Sequence, residues 1–213
     1  MANAMNKNVK KIVVTGALSA LIIVLGLTNL GFIPWFSGAS ITILHIPVII
    51  AAVLEGLVPG IIVGAVFGIF SMIRAITSPM GPLDPFFKNP LVSVLPRILF
   101  AVVAFFLFVG LLSLLGKKRT TNRVIAAGIA AFLSTLVHTV LVISALYICD
   151  HAEISKIFDG NGCFVTLGAL MPQAILEAVA ALIFTVAVVL VIYGSANKKS
   201  SINSISDNNT KDK

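Results

Sequence analysis

Few side chains in this sequence can do chemistry, and those that can are embedded in apolar surroundings: His45, Arg74, Arg97, His138, Gln173 and Glu177. Ionisable groups in such a setting are costly and normally face a protein interior or a water-filled cavity. Gln173 and Glu177 stand four residues apart, hence on one helical face. His45, Arg74, Arg97 and the Gln173/Glu177 pair all map towards one end of their apolar runs, so several helices present polar groups to a single outward-facing layer. That layer suits reversible binding of a small molecule. It also suits a membrane enzyme working with Glu177 and His138 as an acid/base pair. Structural accounts stand beside both: Arg74 snorkelling to outer headgroups, Arg97 and Glu177 paired to lock two helices, His45 and His138 as packing residues, and Glu55 solvated at a turn. The sequence has no Gly-rich segment ending in GK[ST], no GxSxG, no HExxH and no Cys/His ligand cluster. Nucleotide phosphates, an activated serine and a metal therefore lack a recognisable cradle. No catalytic residue, metal or cofactor is expected.

The elements that must position these groups are apolar runs. With 58% apolar residues, 11% charged residues and a mean hydropathy of +1.08, too little polar surface exists for a water-soluble globule. A spanning helix needs roughly 20 apolar residues. Six segments qualify, at about 12–30, 41–57, 60–78, 91–115, 124–148 and 165–193. The second is the shortest and carries Pro47, which suggests a kink or a segment partly sunk below the membrane surface. Lys and Arg in short loops stay cytoplasmic. Lys7, Lys10 and Lys11 precede the first run, Lys117, Lys118, Arg119 and Arg123 lie between the fourth and fifth, and Lys198, Lys199, Lys211 and Lys213 follow the sixth. These are eleven of the 15 basic residues. The expectation is an all-α membrane protein: a six-transmembrane-helix bundle with both termini cytoplasmic. Residues 1–195 form a single substrate-binding domain, and 196–213 form a polar, disordered cytoplasmic tail. The net charge of +7 follows from this bias and does not indicate nucleic-acid binding.

The loop TSPMGPLDPFFKNP holds four of the nine prolines, at Pro79, Pro82, Pro85 and Pro90. Such a segment cannot be regular but is stiff, because each proline fixes its own φ and restricts its predecessor. Phe86 and Phe87 supply apolar surface for a semi-rigid lid over a pocket; an interfacial anchor accounts for the phenylalanines alone. Gly31, Phe32, Pro34, Trp35 and Phe36 form a second gate or an aromatic belt. Gly60, Gly64 and Gly68 make a doubled GxxxG read as packing within the monomer, whereas Gly16 and Ala20 on the first helix are candidates for meeting a different protein. Pro172 reads as the first residue of the regular part of the last helix. Cys149 and Cys163 flank an outer loop, either as free thiols or as a disulfide worth roughly 3 kcal/mol in the chain-entropy model. A binding subunit that borrows its energy from partners accounts for the missing motifs, and a purely structural assembly subunit is the third class.

Residues 8–195 resemble the substrate-binding membrane subunits (S components) of energy-coupling factor transporters, vitamin importers of bacteria and archaea. The resemblance is carried by VVTGALSALIIVLG, ITILHIPVIIAAVLEGLVPGIIVGAVFGIFSMIRA, FKNPLVSVLPRILFAVVA and MPQAILEAVAA. It implies an ABC-type importer in the plasma membrane, with a vitamin bound near the outer surface under mobile loops. It also implies docking of a small-xxx-small pair, here Gly16 and Ala20, on a transmembrane coupling protein driven by two cytoplasmic ATPases. The HIP and LPRI segments are most similar to pantothenate-type subunits; riboflavin or a thiamine precursor is the alternative. On that resemblance Arg97 partners a substrate carboxylate. Arg74, His45, Gln173, Glu177, Phe86, Phe87 and Asn89 complete the expected substrate site.

Overall fold

The computed structural model describes residues 7–28, 31–33, 40–116, 119–157 and 163–211, with side chains as far as residue 195. Helix α1 (Lys7–Leu27) is followed by two short strands, β1 (Phe32–Ile33) and β2 (Ile41–Thr42), paired antiparallel with Phe32 opposite Thr42. Then come α2 (His45–Leu54), α3 (Leu57–Thr77), a 3-10 turn at Asp84–Lys88, the single turn α4 (Pro90–Ser93), α5 (Leu95–Leu115), α6 (Thr120–Ile157) and α7 (Cys163–Lys211). Residues 34–36 of the expected second gate, Lys117, Lys118 and Lys213 lie outside the described residues, as do the side chains of Lys198, Lys199 and Lys211. Helix α7 runs on through the segment for which the sequence suggests no regular structure.

Five helical segments are long and apolar enough to cross a membrane: α1, α3, α4 with α5, α6, and α7 to Ser195. The second expected span is the exception. Its helix has only 10 residues, about 15 Å against a hydrocarbon core of about 30 Å. Residues 41–42 are extended, and the helix starts only at His45. Every residue from His45 to Val53 is buried, so α2 is enclosed by the other helices and has no lipid-facing side. Elsewhere the bundle turns its bulky side chains outward. Ile12, Val24, Leu27, Phe106, Leu114 and Val191 are among those exposed, as befits a lipid solvent.

Contacts fix the relative directions. Arg74, near the end of α3, donates to the Gly26 carbonyl near the end of α1, so these two helices run parallel. At the opposite end, Lys10 of α1 pairs with Glu55, just after α2, at 3.5 Å. There Gly56, at φ +107°, makes a turn that an L side chain rarely adopts. Helix α5 returns against α3, α6 runs back, and α7 returns, with Arg123 of α6 over the Tyr193 ring of α7 at 5.0 Å. The start of α1 and the end of the apolar part of α7 therefore share one face with Arg119 and Arg123.

The glycine ladder of α3 packs closely against α2 and the α4–α5 corner. A Cβ on Gly60 would meet Ala52 of α2 at 2.8 Å; on Gly64, the Arg97 carbonyl oxygen at 2.7 Å; on Gly68, Val94 Cα at 2.6 Å. Packing within the monomer is thus borne out for all three. Gly16, in contrast, has nothing within 4 Å of its Cβ position. Gly68→Ala is expected to destabilise the fold by about 1–3 kcal/mol, the usual cost of overpacking. Gly16→Ala should leave the thermal midpoint in detergent unchanged; equal midpoints for both variants would contradict this packing.

Candidate functional site

The half of the bundle away from the basic face contains an irregular segment, Ser40–Leu44, in which Thr42 and Leu44 are buried. Such backbone is tolerated at membrane depth only where protein or a cavity satisfies it. Here α7 supplies the partners. The Thr42 N–H donates to Glu177 Oε1 at 2.7 Å, and Gln173 Nε2 donates to the Ser40 carbonyl at 3.0 Å. The Thr42 hydroxyl donates to the Gly31 carbonyl at 3.1 Å and accepts from Leu44 N–H at 3.2 Å. Gln173 Nε2 also lies 3.4 Å from Glu177 Oε1. The i, i+4 pair therefore acts together, as its spacing suggests. Its depth differs from expectation. Helix α7 begins at Cys163 and Pro172 lies inside it, so Glu177 is about 21 Å from the helix start at 1.5 Å per residue. Proline removes one backbone donor, and surrounding helices make that tolerable within a membrane.

Above this clamp lies a cavity of two adjoining lobes, each about 480 Å³ including its open mouth. Ser40, Thr42, Phe87 and Arg97 line both lobes. The first lobe continues along α6 and α7 past His138, Thr139, Val142, Leu170, Gln173 and Glu177. The second reaches Phe32, Ser71, Arg74 and Asp84. One lobe thus carries an amide and a carboxyl on α7, the other a second guanidinium on α3, and Arg97 stands between them.

Arg97 is 6% exposed. One Nη donates to the Val92 carbonyl at 2.8 Å, and the guanidinium lies over Phe87 at 4.8 Å and Phe67 at 5.4 Å. Stacking of this kind holds a cation in low-dielectric surroundings without neutralising it. Its Nε has no partner. The alternative of a structural pair with Glu177 does not form: the ion pairs among the described residues are Lys10–Glu55 and Lys156–Glu153. Arg74 is held by the Gly26 carbonyl, the Met80 sulfur and the Phe32 ring, 4.5 Å from its guanidinium carbon.

Of the remaining expected site residues, Phe87 lines both lobes, whereas Phe86, Asn89 and His45 line neither. Phe86 packs with Leu83 and Phe87 against a small outer core of Val92, Ile143, Leu146, Ile154 and Leu170. The Asn89 side chain accepts from Leu91 N–H at 3.0 Å and caps α4. His45 is fully buried beneath the cavity, with its ring 6.4 Å from that of His138. His138 does line the cavity, against its reading as a core residue. The available signal was its spacing: His138, Thr139 and Val142 fall on one face of α6. The backbone contacts of Ser40 and Thr42 left no trace in residue type. Cys149 and Cys163 are free thiols packed against the outer core.

The Pro-rich loop covers this cavity. Leu83 is buried, and Asp84 Oδ2 accepts from the N–H groups of Met80 and Gly81 at 2.7 and 2.9 Å. Helix α6 breaks at Asp150 (φ −139°, ψ 40°), and Ile154 beyond the break is buried in the same outer core as Leu83.

Comparison with known proteins adds to this geometry. Residues 10–191 match the family described as ECF transporter, substrate-specific component. The chain is 28% identical over 162 residues to the pantothenic acid transporter PanT of Lactococcus lactis subsp. cremoris, covering 70% of this chain and 75% of that protein. It is 30% identical over 142 residues to the pantothenate transporter PanT of Leuconostoc mesenteroides subsp. mesenteroides, covering 65% and 68%.

Asp84→Ala removes the acceptor that folds the loop onto itself. Loss of two partly exposed hydrogen bonds should loosen the loop by about 1–2 kcal/mol. The measurable outcome is faster proteolysis between residues 78 and 90 with an unchanged global melting point.

Proposed function

The chain belongs to the family of ECF transporter substrate-specific components, and on that footing we propose that it captures pantothenate from outside the cell and hands it inward. The family comprises transport components and not enzymes, which sets aside the acid/base use of Glu177 and His138. Pantothenate carries hydroxyl groups at one end, an amide in the middle and a carboxylate at the other. The observation that carries the proposal is the polarity of the cavity: guanidinium groups at Arg97 and Arg74, amide and carboxyl groups at Gln173 and Glu177, and apolar wall at Val142, Ile143 and Leu170. A guanidinium suits a carboxylate because it offers parallel N–H donors, and Arg97 Nε has no partner among the described residues. The names of the two bacterial relatives point to the same vitamin. Riboflavin, larger and without a carboxylate, makes poorer use of two arginines.

In this reading the basic face bearing Lys7, Lys10, Lys11, Arg119 and Arg123 is cytoplasmic, as positive charge in short loops requires. The cavity then opens outward beneath the Pro-rich loop. The chain has no nucleotide-binding loop of its own, so accumulation against a gradient depends on a coupling membrane protein and two ATPases. Gly16 and Ala20 are exposed on α1 and supply a close-approach surface for that partner.

Arg97→Ala should weaken pantothenate binding by about 2–5 kcal/mol, the range for truncating one member of a buried charge pair. Isothermal titration of the purified protein measures it, and unchanged affinity would leave the arginine a structural role only. Replacing Gly16 and Ala20 with Leu should abolish uptake by cells while titration still finds normal binding. Loss of binding as well would place the pair inside the monomer's own fold.

A further inference from the structure

His138 is the one imidazole that lines the cavity, and the architecture around it does not satisfy it. The residue is 4% exposed, and its Nε2 is buried with no hydrogen-bond partner among the described residues. Its neighbours are rings: Phe100 at 4.9 Å, Phe67 at 6.1 Å and His45 at 6.4 Å between centroids. Phenyl rings offer no conventional donor or acceptor. A buried polar atom left unpaired costs about 1–3 kcal/mol, a cost that a bound ligand can remove.

Two other residues that line the same cavity carry a buried polar atom with no hydrogen-bond partner among the described residues, Arg97 at Nε and Ser71 at Oγ. Their distribution is uneven. Ser71 lies in the lobe of Arg74, whereas His138 lies in the lobe of Gln173 and Glu177. Arg74 and Asp84 thus mark one side of Arg97; the Gln173 amide and the Glu177 carboxyl, with the apolar wall of Val142, Ile143 and Leu170, mark the other. Asp84 is already engaged by the Met80 and Gly81 N–H groups, so an elongated molecule with an anionic end and a hydroxyl-bearing, branched apolar end fits this division with its anionic end at Arg97 and Arg74.

Resting on the pantothenate reading above, we propose that His138 is a substrate-contacting residue that hydrogen-bonds the hydroxyl end of the substrate, opposite the carboxylate end held by Arg97. Phe100 and Phe67 hold the imidazole in place without competing for its nitrogens, so the interaction is reserved for the ligand. A hydroxyl can donate to or accept from an imidazole. A site built to hydrogen-bond a substrate hydroxyl rejects the analogue lacking it, because its own polar atom is then left unpaired.

The test compares wild-type protein, His138→Phe and His138→Gln in titrations with three probes: pantothenate, an analogue in which both hydroxyls of that end are replaced by hydrogen, and the carboxylate methyl ester. Wild type should bind the deoxy analogue about tenfold more weakly than pantothenate, the effect of one hydrogen bond. His138→Phe should bind both alike, and His138→Gln should restore part of the preference. All three proteins should still disfavour the ester, which reports the Arg97 end and shows that the fold is intact. A second measurement needs no variant to fold: in 15N-imidazole spectra of wild type, pantothenate should shift the His138 resonance and the deoxy analogue should not. Full hydroxyl discrimination in His138→Phe, or no shift of the His138 resonance, would overturn this assignment while leaving the pantothenate reading standing. Failure of wild type to bind pantothenate at all would overturn both.

Discussion

The fold depends on the hydrogen bonds by which α7 holds the irregular segment before α2. A membrane interior offers no water to an unpaired amide, so a chain that leaves helical geometry there must be given partners. Thr42 and Ser40 leave it, and Glu177 and Gln173 receive them at 2.7 and 3.0 Å. The polar side chains of α7 thus have a structural task before any ligand arrives. Replacing Glu177 would disturb the backbone of residues 40–44 as well as the wall of the cavity. Loss of binding in such a variant would not by itself identify Glu177 as a ligand contact. Arg97 is the cleaner probe, since its backbone-facing hydrogen bond is made within the same α4–α5 corner.

The same clamp explains why α2 can be short. A 10-residue helix buried from His45 to Val53 needs protein on every side. Its inner end is closed by the Gly56 turn and by the close approach of Gly60 to Ala52. Its outer end is closed by the strand pair and the α7 side chains. Gly64 and Gly68 then draw α5 against α3 so tightly that their Cβ positions would overlap backbone of residues 94 and 97. This contact fixes the start of α5, and with it the place of Arg97 beside Phe67. Backbone packing on one side of the arginine and ring stacking on the other leave its head little freedom. Preorganisation of that kind reduces the ordering cost of binding.

Much of this was legible in the residues, within physical limits. Apolar run length identified α1, α3, α5, α6 and α7, because lipid thickness sets a minimum that composition reports directly. It overstated the helical length of 41–57, where the helix has 10 residues, since a helix buried on all sides is as apolar as one facing lipid; the short run and Pro47 were the signs of a segment sunk below the surface. Pro172 was read as a helix start by a rule that holds in water, where a broken helix exposes its backbone at little cost. Within a bundle the helix continues through it. The spacing of Gln173 and Glu177 and the glycine ladder were informative because periodicity survives any environment. The roles of Ser40 and Thr42 were hidden, as backbone N–H and C=O groups are common to all sequences. Asn89 and Phe86 belong to the expected substrate site, yet one caps a helix and the other packs against the small core under the loop.

The cavity is a consequence of the short helix. A full second span would fill the outer half of the bundle with side chains from α2, as Val48, Ile49 and Val53 fill the inner half. Because the helix begins only at His45, the volume above it is bounded by residues that face the missing turns: Arg97 on α5, His138 on α6, and Gln173 and Glu177 on α7. These polar groups would be untenable against a complete apolar helix. They are tenable against a cavity, where a ligand or water can meet them. The shortened span and the intramembrane polar residues are therefore one feature seen from two sides, and each requires the other. What remains is to close the top. The Pro-rich loop does this through Leu83 and Phe87, and the end of α6 meets it through Ile154 after the break at Asp150. Both covers rest on one small core, separate from the large one that packs α2, and through Val92 and Phe87 that small core also holds Arg97.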